Sequence, residues 1–145
     1  MAIPQDPQAL AQACAAAMWA EDNASQGLGI TLEAVAPGTA RLTMPVAAGM
    51  VNGHGMCHGG FIFTLADSAF AFACNSRNAK CVAAGATIAF LRPARLGDHL
   101  TATAEERHLA ARSGLYDVRV TNQSGETIAE FRGNSRAIGQ NFFNE

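Results

Sequence analysis

Asp67 is the one charge in a long apolar run. From Phe61 to Cys74 the chain reads FIFTLADSAFAFAC, and only Thr64, Asp67 and Ser68 interrupt the hydrocarbon. The run is rich in Ala, Leu and Phe, which predicts a helix. Its 14 residues are too few to span a bilayer. A helix apolar on nearly every side must then be buried in protein. Spacings of three and four put Thr64, Asp67 and Ser68 on one face. A carboxylate in that position is costly unless its neighbours cap it or it has chemistry to do, as a general base or nucleophile. The residues just upstream favour chemistry. Val51 to Gly60 reads VNGHGMCHGG, with four glycines, two histidines and Asn52. Gly59 and Gly60 fall where the helix should begin, and a helix N-terminus presents free N–H groups and positive potential. Glycine also lets a substrate oxygen come close to that backbone. Donors for a developing oxyanion and a carboxylate thus lie within one short stretch. His58 reads either as a catalytic group or as a loop hydrogen-bonder. His54, Cys57 and His58 lack a fourth ligand and match no standard spacing, so no metal is expected. There is no Gly-Lys-Ser/Thr phosphate loop and no Gly-x-Ser-x-Gly elbow.

The elements that must position these groups follow from pattern. The 145 residues suit a single domain, 1–145, with 1–26 an N-terminal helical segment. Asp6 and Pro7 predict a helix start, and Leu10, Cys14, Met18 and Trp19 share one side of the helix that follows, to Glu21. Strands are predicted over 30–35 and Thr39 to Pro45, then the glycine loop and the apolar helix. Strands at 81–91, 99–107, 115–121 and 127–137 complete the chain. The apolar Cys81–Leu91 run predicts a strand central in its sheet, and Gly114 predicts a break. Consecutive strands favour an antiparallel sheet, and one sheet curling round one helix buries that helix on most sides: an α+β architecture. Phe61, Phe63, Phe70 and Phe72 read mostly as core.

With these residues in view the chain resembles a known family. His58-Gly59-Gly60, Leu65 to Ala69 and Asn52-Gly53-His54 resemble the hotdog-fold acyl-CoA thioesterases. The string Ala69 to Ser76 is similar to the phenylacetic acid degradation (PaaI) branch, and the likeness continues through Phe90-Leu91-Arg92-Pro93 and Phe131-Arg132-Gly133. The resemblance implies a hotdog domain whose sheet wraps a central buried helix. It implies hydrolysis of an acyl-CoA thioester, with phenylacetyl or hydroxyphenylacetyl as the first acyl groups to test. Asn52, Gly59 and Asp67 fall on the positions that carry the chemistry in related enzymes, Asp67 as base or nucleophile and the Gly59 amide as oxyanion donor. Some relatives add a Thr four residues past the carboxylate. Here that residue is Ala71, so a water-orienting hydroxyl would come from Ser68 or Thr64. Substrate contacts are expected from Gly60, Thr64, Ser68, Phe61, Asn75 and Arg92, the last two toward the phosphates of coenzyme A.

The resemblance also implies a homodimer as the catalytic unit, paired into a homotetramer, and no cofactor. A formal charge of −2 gives no reason to expect nucleic acid. The first twenty residues lack a basic n-region, no run suits a membrane, and four cysteines without a paired motif fit the reducing cytoplasm. Two other functions are open: a hotdog enoyl-CoA hydratase or dehydratase, and a non-catalytic acyl-CoA binder.

Overall fold

The computed structural model describes residues 2–145. Two helices, α1 (Pro7–Trp19) and α2 (Asn23–Gly27), lead into strands β1 (Thr31–Ala36) and β2 (Thr39–Pro45). A loop with one 3-10 turn (Ala48–Met50) precedes helix α3 (Gly59–Cys74). Strands β3 (Cys81–Phe90), β4 (His99–Ala110), β5 (Ser113–Thr121) and β6 (Thr127–Ala137) follow. All six strands form one antiparallel sheet in the order β1-β2-β4-β5-β6-β3.

Helix α3 packs against every strand of that sheet. It buries Ile62, Leu65, Ala66, Ala69, Phe70, Phe72, Ala73 and Cys74. The sheet answers with Leu42, Met44, Leu100, Val118, Val120, Ile128 and Phe131, all fully or almost fully buried. Alternation along each strand sends these side chains to the helix face. Alanines on both sides (Ala66, Ala69 and Ala73 on α3, Ala102 and Ala104 on β4) let the layers approach closely. Gly133 is needed for the same reason, because a Cβ there would stand 2.9 Å from the Phe70 ring. The predicted buried helix and its sheet are therefore present.

Helix α1 starts as expected, with Asp6 accepting from the Ala9 amide at 2.9 Å and Pro7 at the first position. It lies against β1, burying Ala11, Cys14 and Ala15, and Trp19 tilts over Phe72 at 6.2 Å. It ends at Trp19, and the short α2, capped by Asp22 through Ser25, has no counterpart in the sequence reading. Gly114 does not break a strand. The β4–β5 turn falls at Ala111, in the left-handed region at φ 53°, and Gly114 lies inside β5.

The largest departure is β3. Its apolar sequence predicted a central strand, yet it forms an edge of the sheet and pairs only with β6. Val82 and Phe90 are about half exposed, and residues 82–87 are exposed although alternate side chains face opposite sides of the sheet. Only Cys81 and Ile88 of β3 are half-buried and packed against the core of their own chain. Among the described residues, no helix is long and apolar enough to cross a membrane.

Candidate active site

The loop before α3 is held by its own polar groups. Asn52 donates its backbone N–H to Met56 O at 2.8 Å, and its Oδ1 accepts from the amides of His54 (2.9 Å) and Met56 (3.2 Å). Gly55 makes the turn possible with φ 75°. The Cys57 amide donates to Ala94 O and the His58 amide to Met50 O, at 2.8 and 2.7 Å. The Gly55 amide donates to Asn52 O at 3.1 Å, so every polar atom of Asn52 is engaged except Nδ2, which among the described residues is left as a donor.

His58 is the N-cap of α3. Its Nδ1 accepts from the Gly60 amide at 2.9 Å, and its ring meets Phe61 edge-on at 6.1 Å. The Gly60 N–H is therefore taken by the cap. Among the described residues the Gly59 N–H has no partner and remains the open donor of the first turn. Of the two glycine amides expected to face substrate, the fold leaves Gly59.

Gly59 opens on a cavity of about 460 Å³, which brings Asn52 and Arg92 together with Met56, Ile62 and Phe90. Phe90 has no role in the sequence reading beyond its place in the Phe90-Leu91-Arg92-Pro93 string. Its ring lies over Gly59, 2.9 Å from where a Cβ would be. Arg92 stands at the rim and pairs with Glu126 at 3.3 Å, both side chains largely exposed.

Asp67 does not line this cavity. It is half-buried, and among the described residues its carboxylate has no hydrogen-bond or ion-pair partner. Burial pushes its pKa up from the ordinary carboxylate value. An unpaired carboxylate with a raised pKa is the state expected of a general base. The neighbouring hydroxyls are already engaged. Thr64 Oγ1 donates to Gly60 O at 2.9 Å, and Ser68 Oγ shares a 2.9 Å bond with Ser25 Oγ, tying α3 to α2. Phe61 is half-buried and packs against the core.

Asn75 departs from its expected contact with coenzyme A phosphate. It is 4% exposed and caps the end of α3. Its Nδ2 donates to Ala71 O and Cys81 O at 2.9 and 3.2 Å, and its Oδ1 accepts from the Cys81 amide at 2.8 Å. The amide fastens helix to strand and has no donor left for an anion.

Residues 54–129, from the glycine loop into β6, match the family model of the thioesterase superfamily. The chain belongs to the thioesterase superfamily. Over 123 residues it is 50% identical to the acyl-coenzyme A thioesterase PaaI of Escherichia coli K12, covering 85% of this chain and 88% of that one. The structure of the E. coli PaaI protein superposes with a TM-score of 0.92 at 46% identity, covering 94% and 99% of the two chains. A Streptococcus mutans structure bound to acetyl CoA superposes with a TM-score of 0.74 at 27% identity over 77% of this chain and 90% of its own. The sheet wrapped on α3 is thus the hotdog fold of the superfamily, and the chain is a thioesterase.

Proposed function

We propose that this thioesterase hydrolyses aromatic acyl-coenzyme A thioesters, phenylacetyl or hydroxyphenylacetyl, to the free acid and coenzyme A, at a site shared by two copies of the chain. One observation carries the reading. The open Gly59 N–H faces a largely apolar cavity, and the unpartnered Asp67 lies eight residues further along the same helix.

The Gly59 N–H, at the positive end of α3, receives the thioester oxygen as it becomes an oxyanion. His58 does not touch the substrate in this reading. By accepting from Gly60 it fixes the first turn and so aims Gly59. Asp67 removes a proton from the attacking water or attacks the carbonyl itself. Thiolate is a good leaving group, so no separate general acid is required. Asn52 Nδ2 is placed to hold water or carboxylate, Phe90 and Ile62 offer apolar contact to the acyl chain, and Arg92 at the rim suits a phosphate. No metal and no cofactor enter the scheme.

The edge strand supports the dimer. Eight of the ten residues of the mostly apolar β3 are exposed, and the strand presents an unpaired ladder, a surface ready to pair with another strand. A two-fold axis along β3 covers it with a second copy. It also carries Asp67 of one chain toward Gly59 of the other, and two such dimers make the expected tetramer. Four free thiols fit a cytoplasmic enzyme.

A thiol-colour assay over a panel of acyl-CoAs tests the reading. Phenylacetyl- and hydroxyphenylacetyl-CoA should give the highest kcat/KM. Higher values for straight-chain substrates overturn the aromatic preference. No thiol release from any substrate overturns hydrolysis, and crotonyl-CoA hydration then tests the dehydratase alternative.

A further inference from the structure

A single ring stands beside the open amide. The tip of Phe90, its Cζ and both Cε atoms, lies 2.9 to 3.4 Å from where a Cβ on Gly59 would be. That position and the Gly59 nitrogen are each one bond from the same Cα, so the ring flanks the residue whose N–H is free. The backbone behind the ring is fixed. Phe90 ends β3 and pairs with Ala129, and the Leu91 and Arg92 amides both donate to Ile128 O, at 2.8 and 3.3 Å. Ile62, three residues beyond Gly59 on the same helix face, is 3% exposed and forms an aliphatic wall of the cavity. Among the described residues Phe90 is the one aromatic side chain that lines it, beside Met56, Ile62, Leu91 and Pro93. Phe61, the aromatic that the sequence offered to substrate, packs instead on the core and meets the His58 ring edge-on.

Position along the acyl group then decides what Phe90 meets. The thioester oxygen takes the Gly59 N–H at about 3 Å. The carbonyl carbon is one bond from that oxygen, and the acyl α-carbon is one bond further. A group on the α-carbon therefore lies against Phe90, and a group several methylenes out has passed it. A phenyl on the α-carbon, as in phenylacetyl, comes ring to ring with Phe90. Aromatic pairs attract beyond the area they bury, in offset or edge-to-face arrangements with centroids about 4.5–7 Å apart. A saturated ring of similar bulk occupies the same space without that attraction.

We propose that Phe90 is a specificity-determining residue of this thioesterase, selecting acyl groups that carry an aromatic ring one methylene from the thioester carbonyl. The assignment rests on the reading that aromatic acyl-CoAs are the substrates, and it names the residue and the ring position behind that preference. Phe90 acts from inside the cavity and needs no exposure to solvent, so pairing of β3 with a second copy leaves the role intact.

The test compares kcat/KM for two pairs of substrates on the assembled enzyme: phenylacetyl- with cyclohexylacetyl-CoA, and 4-phenylbutanoyl- with 4-cyclohexylbutanoyl-CoA. Each ratio is divided by the ratio of the same thioesters' hydroxide-catalysed rates in solution, which removes their intrinsic reactivity. The corrected acetyl ratio should be roughly 2–12 in the wild type, equivalent to about 0.5–1.5 kcal/mol at about 1.4 kcal/mol per tenfold. The corrected butanoyl ratio should be near one. Phe90→Leu should bring the acetyl ratio down to about one, and Phe90→Tyr should keep it. A purely structural role would lower both members of a pair alike and leave the ratio where it was; that result overturns the proposal. A wild-type acetyl ratio of one or less, or an equal ratio in the butanoyl pair, also overturns it, and these two measurements need no variant to fold. Octanoyl-CoA separates the two readings. If it outruns phenylacetyl-CoA while the acetyl ratio still falls in Phe90→Leu, the aromatic preference is wrong and the Phe90 contact stands. If phenylacetyl-CoA leads and the ratio does not respond to Phe90→Leu, the preference stands and Phe90 is not its source.

Discussion

Two lesions that each abolish activity should restore it when they are placed in different chains. Asp67 lies eight residues beyond Gly59 on one continuous helix, so the two are about 12 Å apart along the axis at about 1.5 Å per residue. A thioester carbonyl needs its oxygen about 3 Å from the amide and its carbon about 3 Å from the attacking group. A single chain spans that distance badly, and its cavity contains Gly59 and Asn52 without Asp67. The pair to combine is Asp67→Asn and Asn52→Asp. The second substitution keeps the Oδ1 that accepts from His54 and Met56 and replaces the Nδ2 donor with a carboxylate oxygen, which carries a charge and cannot donate. In a mixed dimer one site collects both lesions and the other has none. With random pairing, half of the dimers are mixed and half of their sites are intact, so about a quarter of wild-type activity should return. The assay is thiol release from phenylacetyl-CoA by the co-expressed chains, with differently tagged copies pulled down in sequence to verify mixing. If mixed dimers are present and no activity returns, both groups act within one chain and the shared site is wrong.

Asp67→Asn alone should lower kcat at least about a hundredfold and leave the melting temperature equal or higher. Its folded pKa is raised by burial, so the ionised carboxylate opposes folding; wild-type stability should improve as pH falls through the window between the raised and ordinary values, and this gain should vanish in the variant. Gly59→Ala should cost roughly 2–4 kcal/mol of transition-state stabilisation, measured as kcat/KM. The new methyl meets the tip of the Phe90 ring, which is 52% exposed and free to swing aside, so the melting curve should change little. Glu106→Ala should destabilise the fold by about 1–3 kcal/mol, read by denaturant unfolding, because the buried Tyr116 hydroxyl loses its 2.8 Å acceptor. Burial pushes Glu106 up, but bonds from Arg77 and Tyr116 outweigh it and its pKa is lowered. Its contribution is therefore complete above the ordinary glutamate pKa and is lost as pH falls through the lowered value, a loss the variant should not show.

The elements with a strong local signal were legible in the sequence by itself. Strand β2 runs from Thr39 to Pro45, as alternation predicts, β6 runs from Thr127 to Ala137, as the Ser124-Gly125 turn predicts, and α3 begins at Gly59, two residues before its apolar run. The loop, the helix start and the lone carboxylate were visible because caps, turns and period are set by neighbours a few residues apart. Tertiary structure decided what depends on distant groups. Ser25, 43 residues away in the chain, claims Ser68, and Asn75 is taken up by the start of β3 at Cys81, so two of the expected substrate contacts serve the fold. Phe90 comes over Gly59 only because β3 runs back past the start of α3. The apolar run of β3 predicted a central strand, and the chain instead leaves this strand at an edge, mostly exposed. Hydrophobicity records that a surface is to be covered. Which surface covers it depends on how the whole chain, and in the proposed dimer a second copy, folds around it.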